Sequence, residues 1–206
     1  MESADVEKAA PSNSAETVLV KSAQSGDRQA LQELVTRYQD TVFGFAFKVC
    51  RNEDDAEDTL QEAFYKILKA LPSFNFQSTF STWIYRIVSN SCLMKWRKEK
   101  RERWESFEAL ENPEDWVQDE YTRWPDTPVE RLLSTELKEL MDRAVLDLPP
   151  IYRLAFVLKD LEGLKIDEVA QALNISVPAA KARLRRARLF LRERLDPYMR
   201  NDESRN

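Results

Sequence analysis

Apolar residues recur three and four positions apart along most of the chain, and the polar breaks between them mark out helices. The spacing begins near Glu16, and Gly26-Asp27 breaks it. Asp27 suits an N-cap for a helix through Ala30, Leu31, Leu34, Val35 and Tyr38, and Val42, Phe43, Ala46, Phe47 and Cys50 prolong its stripe. After Arg51-Asn52-Glu53-Asp54, a strongly amphipathic helix runs from about Asp54 to Ala70. Ala56, Leu60, Ala63, Phe64, Ile67 and Leu71 form its core stripe; Asp55, Asp58, Gln61 and Glu62 fall largely outside it. Pro72-Ser73 ends this helix, and Phe74–Thr79 reads as a polar and aromatic loop. A long helix follows from Ser81 to about Glu105, with Ile84, Ile87, Val88, Ser91 and Cys92 on one face. Its last two turns are basic, which also favours the helix dipole.

Pro113, Pro125 and Pro128 interrupt residues 106–130, which read as a linker. The linker carries Trp116, Tyr121 and Trp124, with Trp104 just before it. A solvated tether has little use for these rings, so they pack on the protein's own domains or lie along a partner. Helical spacing resumes from Val129 to Leu146 and again through Tyr152, Ala155, Phe156 and Leu158, before Glu162-Gly163-Leu164-Lys165. Ile166–Leu173 is a short helix with core positions Ile166, Val169, Ala170 and Leu173, and Asn174-Ile175-Ser176 is a turn. Asn tolerates the left-handed conformation such a turn needs, and Ser176 can cap the helix that runs from Val177 to about Leu195. At about 100° per residue, Ala180, Leu184, Ala187, Leu191 and Leu195 share one arc of roughly 80°, the core face. Lys181, Arg185, Arg188 and Arg192 form a stripe beside it, and Arg183, Arg186 and Arg194 another on the opposite flank. This is helix-turn-helix spacing.

Composition narrows the class. Glycine is only 3 of 206 residues and apolar residues make up 43%, which predicts an all-α protein of two small helical domains. The expected boundaries are a disordered tail over 1–15, a first domain over 16–105, an acidic linker over 106–134, a second domain over 135–198 and a tail over 199–206. Histidine is absent, which removes imidazole bases and His-liganded metals, and no metal or cofactor is predicted. Asp54, Asp55, Glu57 and Asp58 form an acidic cluster, but neighbouring helix residues point in different directions, so a metal-dependent nuclease is not the preferred reading. Cys50 and Cys92 are isolated and read as buried, reduced thiols suited to a reducing cytoplasm. The start Met1-Glu2-Ser3-Ala4-Asp5 lacks a signal-peptide pattern, and no apolar run reaches the roughly twenty residues of a membrane span. A cytoplasmic protein without membrane insertion is expected.

Charge is segregated. The chain has a net charge of -5, yet Lys95–Arg103 holds six basic and two acidic residues, and Lys181–Arg194 holds seven basic and one acidic. Two cationic helices far apart in an acidic chain point to a polyanion held at two places. In a helix-turn-helix the start of the second helix enters the major groove, where Arg and Lys reach guanine O6/N7 or phosphate oxygens.

Two motif blocks resemble the extracytoplasmic-function (group IV) sigma factors of the sigma-70 family of bacterial RNA polymerase. The first is Asp55-Ala56-Glu57-Asp58-Thr59-Leu60-Gln61-Glu62-Ala63-Phe64, then Leu71-Pro72-Ser73-Phe74 and Phe80-Ser81-Thr82-Trp83-Ile84-Tyr85-Arg86-Ile87, similar to sigma region 2. The second is Leu148-Pro149-Pro150-Ile151-Tyr152-Arg153, Glu162-Gly163-Leu164 and Glu168-Val169-Ala170 through Leu184-Arg185-Arg186-Ala187-Arg188, similar to region 4. The resemblance implies an initiation factor without a catalytic centre. Its partners would be core RNA polymerase, promoter DNA in duplex and single-stranded form, and an anti-sigma factor.

It also implies roles. Asp55, Asp58, Gln61 and Glu62 would contact core polymerase. Asn75, Phe76, Gln77, Ser78, Thr79 and Phe80, with Trp83, Arg86 and Asn90, would capture melted promoter DNA, while Lys95, Arg97 and Lys98 would grip its backbone. Trp83, Ile84 and Ile87 suit the core equally well. In region 4, Arg153, Ser176, Ala179, Lys181, Arg183, Arg185, Arg186 and Arg188 would meet duplex DNA. The chain departs from the family pattern at Asn174, at Pro178-Ala179-Ala180 and at Phe74-Asn75-Phe76-Gln77, which leaves base preference open. A dimeric helix-turn-helix regulator on a palindromic site is the rival reading, and it leaves the Asp55–Phe64 block without a role.

Overall fold

The computed structural model of the protein describes residues 13–50, 53–99 and 135–203. All regular structure among the described residues is helical. The first lobe contains α1 (Asn13–Gln24), α2 (Arg28–Val49), α3 (Glu53–Ala70) and α4 (Phe80–Glu99), with a single 3-10 turn at Leu71–Ser73. The second contains α5 (Thr135–Asp147), α6 (Pro150–Phe156) running into a π-turn over Val157–Leu161, α7 (Ile166–Leu173) and α8 (Val177–Glu203). The linker 106–134, with Trp116, Tyr121 and Trp124, lies outside the described residues, as does Trp104.

Local chemistry sets the helix ends. The Asp27 carboxylate accepts from the backbone N–H of Gln29 (2.8 Å) and of Ala30 (3.3 Å), which satisfies two of the orphan donors at the start of α2. Asn174 ends α7 in the left-handed region (φ 53°, ψ 49°), and the Ala179 N–H donates to Ser176 Oγ at 3.3 Å to open α8. Two predicted ends shift. α1 begins at Asn13, inside the stretch read as a tail, and α8 continues to Glu203, well past Leu195.

In the first lobe α1, α3 and α4 pack around α2, with Val20, Val42, Phe45, Ala46, Ala63 and Val88 fully or almost fully buried. Phe45 meets Tyr85 edge-on at 5.0 Å, an arrangement worth about 1 kcal/mol beyond its area. In the second lobe α6 and α7 pack on α8, which buries the whole predicted stripe Ala180, Leu184, Ala187, Leu191 and Leu195.

The two lobes also pack on each other. α4 lies on α7, and α2 touches α5 and α6, so one continuous apolar core runs through both. Polar ties cross the same seam. Glu162 accepts from Lys48 Nζ at 3.2 Å and from the Tyr85 hydroxyl at 2.7 Å. Arg153, fully buried, donates to the carbonyl of Val49 across the seam and to those of Leu146 and Leu148 within its own lobe. Its guanidinium also lies 5.3 Å from the Trp96 ring centroid.

Candidate nucleic-acid and polymerase interfaces

The helix-turn-helix presents its cationic helix as the periodicity requires. Lys181 and Ser176 are exposed at the start of α8, and Ala179, Arg183, Arg185, Arg186 and Arg188 are half-buried beside them. Part of that charge is already matched within the protein. Arg188 forms a two-pronged pair with Asp160, Nη2 to Oδ1 at 2.6 Å and Nε to Oδ2 at 3.1 Å, and the Asp160 side chain is only 8% exposed. Arg186 donates to the Tyr152 hydroxyl at 3.1 Å and stands over its ring. Arg194 meets Asp147 at 3.2 Å in solvent. Arg188 therefore braces α8 against the π-turn, and Asp160 neutralises much of the charge it would offer a phosphate.

Arg153 is a correction. Its place in the Pro-Pro-Ile-Tyr-Arg motif suggested DNA contact, but its side chain is 0% exposed. Carbonyl acceptors and the Trp96 face take the guanidinium inward, because a buried cation must find partners.

In the first lobe the loop after α3 is tightly held. Gln24 of α1 donates through Nε2 to the carbonyls of Leu71 (2.9 Å) and Phe74 (2.8 Å). Phe76 stands at φ +60°, a costly backbone conformation for a bulky residue, which persists because both flanks are anchored. Thr79 caps α4: the Thr82 N–H donates to its Oγ1 at 3.1 Å, and the Ser81 and Thr82 hydroxyls also bond it. Asn75 accepts weakly from the Gln77 N–H at 3.4 Å, and Ser78 donates to the Thr79 carbonyl at 3.2 Å.

A cleft of about 410 Å³ opens between this loop and α1. Glu16, Thr17, Val20 and Lys21 line one side, and Phe74 and Phe76 through Phe80 the other. Phe80 is 4% exposed, so it forms the cleft's floor more than a free wall. Trp83 is half-buried and stacks on Phe80 at 5.5 Å with 24° between the rings, which places it in the aromatic cluster beneath the loop. Arg86 and Asn90 are exposed further along α4. Lys95 is turned toward α3, 3.4 Å from Asp58. The side chains of Arg97 and Lys98 lie outside the described residues.

The acidic face of α3 is open. Asp58, Gln61 and Glu62 are exposed, with Glu62 bonded to Lys66 at 2.6 Å; the Asp55 side chain lies outside the described residues. Tyr65 (66% exposed) and Leu68 (41%) extend this face with apolar surface. Periodicity alone did not single them out, although Gln61, Tyr65 and Leu68 follow one another at i, i+4 and i+7. Glu16, Lys21 and Gln24 were missed for a different reason: only the tertiary fold brings α1 to the loop.

The two thiols are buried and form no disulfide. A hydrogen bond with Cys50, then burial, push the Cys92 thiol well above its ordinary range. Among the described residues no helix is long and apolar enough to cross a membrane.

Residues 34–102 match the family profile for Sigma-70 region 2, and residues 138–191 that for Sigma-70 region 4. The chain is 32% identical over 182 residues to the ECF RNA polymerase sigma-E factor of Haemophilus influenzae, covering 88% of this chain and 95% of that protein. It is 31% identical over 176 residues to the ECF RNA polymerase sigma factor SigW of Bacillus subtilis, covering 85% of this chain and 94% of the relative. Two solved structures share the fold. CnrH, in complex with the cytosolic domain of CnrY, has a TM-score of 0.61 at 24% identity over 89% of this chain and 98% of that one. The sigma factor RpoE of Bartonella quintana, in complex with the anti-sigma factor NepR, has a TM-score of 0.59 at 23% identity over 81% and 96%. Both blocks, in this order and across nearly the whole length of the relatives, place the chain in the sigma-70 family, among its ECF sigma factors.

Proposed function

We propose that this sigma factor binds core RNA polymerase through the exposed face of α3 and reads a promoter at two places. The open cleft between α1 and the Phe74–Thr79 loop is the observation that carries the reading: it combines a stacking ring, hydroxyl and amide groups and an ammonium, which is what capture of an unstacked base requires. The second lobe reads the upstream duplex with the start of α8, where Lys181 and Ser176 are exposed. Arg183, Arg185 and Arg186 add to the field that draws the backbone. Asp58, Gln61 and Glu62 supply polar contacts to polymerase, and Asp55 is proposed with them.

The working units are a first domain over 16–105 and a second over 135–198, joined by the acidic stretch 106–134. Each binds weakly alone, and the tether raises the effective concentration of the second once the first has engaged. The protein has no reaction of its own; it acts in the cytoplasm, where polymerase works. Two solved relatives were captured with protein partners, one of them a named anti-sigma factor, and we assign this chain a partner of the same kind.

The test is initiation by core polymerase, with and without this protein, on duplex and bubble promoter templates. Specific starts only in its presence support the reading. Binding of a palindromic duplex as a dimer without polymerase would instead support a conventional regulator.

A further inference from the structure

α1 lies before the stretch that matches region 2, yet it forms one side of the cleft. Its Glu16 is held in a set orientation: the Tyr38 hydroxyl donates to Glu16 Oε1. Tyr38 is itself buried and meets Phe80 edge-on at 5.3 Å, so the carboxylate is fixed relative to the cleft floor. That bond uses one carboxylate oxygen and leaves the acceptor capacity of Oε2. On the same helix Lys21 Nζ stands 5.6 Å from the centroid of Phe76, the strained and partly exposed ring of the loop. Gln24 pins that loop from α1 as well. One helix thus supplies an oriented acceptor, a cation and the brace of the stacking ring.

We propose that Glu16 and Lys21 are specificity and positioning residues of the cleft: Glu16 selects an unpaired base bearing an exocyclic amino group, and Lys21 holds the phosphate beside that base. The inference rests on the cleft being the site of base capture. A carboxylate accepts well from the amino N–H of cytosine, adenine or guanine. Thymine has a carbonyl oxygen where cytosine has its amino group, so an acceptor there faces the carboxylate and only the single ring N3–H remains to donate on that edge. Phe76 offers a face for stacking that tolerates any base, so discrimination falls to Glu16. Lys21, over the Phe76 ring, is a point charge on a flexible stem, suited to a phosphate that passes the mouth of the cleft.

The experiment uses holoenzyme reconstituted from core polymerase and the full chain. Bubble DNA is varied so that each unpaired position in turn is cytosine, adenine, guanine, thymine or abasic, and affinities are compared. At one position an amino-bearing base is preferred over thymine by about tenfold. Glu16→Ala brings that ratio close to one at that position, and Glu16→Gln, which keeps the shape and one acceptor, gives an intermediate ratio. Lys21→Ala lowers the slope of log affinity against log salt by about 0.7. Melting temperatures of the variants score folding separately.

Thymine bound as well as or better than every other base at each position overturns the inference. So do Glu16 variants that keep the wild-type ratio, while bubble binding itself leaves the initiation reading standing. A holoenzyme that binds no bubble defeats that reading and the inference together.

Discussion

Arg153 Nη1 lies 2.6 Å from the backbone carbonyl oxygen of Val49, and this hydrogen bond joins the second lobe to the C-terminal end of α2 in the first. The carbonyl belongs to the last turn of a helix, where no intrahelical donor is available. A guanidinium suits it because the same fork also reaches Leu146 and Leu148.

Removing that fork has a large effect. Arg153→Met leaves three carbonyls short of a donor and is expected to destabilise the chain by about 3 kcal/mol. For a protein of this size that is a fall in Tm of roughly 6–12 °C. A thermal melt followed by circular dichroism measures it; a change below about 1 kcal/mol would show that Arg153 is not a structural tie.

Glu162 and Tyr85 give the seam a pH dependence. Burial first, then the Glu162 carboxylate, raise the Tyr85 phenol well above its ordinary range; at Tyr38, burial and the Glu16 carboxylate act in the same direction. The folded state therefore holds these protons more tightly than the unfolded chain. That stability is complete below about pH 10, the unfolded value, and is lost as pH rises further. Urea midpoints between pH 9 and pH 12 test this. Tyr85→Phe flattens the alkaline loss, and an unchanged slope would exclude Tyr85 as its source.

Glu162→Gln separates the tie from the titration. It removes the charge that holds Lys48 but keeps an acceptor for Tyr85. Faster amide exchange is expected along α4 and α7, with the interior of α8 unaffected. Uniform exchange rates in the variant and the wild type would show that the seam rests on apolar packing alone.

Lys181 and Arg188 separate DNA contact from structure. Lys181 is exposed, so Lys181→Ala should weaken upstream duplex binding by the holoenzyme and lower the salt slope by about 0.9. Arg188 is engaged by Asp160. A double-mutant cycle on Arg188 and Asp160 should give a coupling of about 2 kcal/mol in stability. A coupling near zero would release Arg188 to the DNA face.

Tyr65 tests the polymerase face. It is exposed beside Gln61, and aromatic anchors carry much of the energy of such interfaces. Tyr65→Ala should weaken core polymerase binding at least about tenfold without lowering Tm. Titration of labelled core measures this, and unchanged affinity would remove Tyr65 from the interface.

Helix positions, the N-cap at Asp27, the left-handed Asn174 and the buried stripe of α8 were legible in the amino-acid order, because each depends on neighbours within about four residues. The two motif blocks were legible as residue strings, and the family through their resemblance to sigma regions 2 and 4. Which charges remain available was not. Lys181 and Arg188 look equivalent on a helical projection, yet a carboxylate from the π-turn engages only Arg188. Arg153 reads as one more cation until Val49, more than a hundred residues earlier, is brought against it. The cleft shared by α1 and the loop, and the seam joined at Glu162, also depend on contacts between distant segments. Local periodicity specifies which face of a helix is buried; only the folded core determines what that face, and the charges at its edge, will meet.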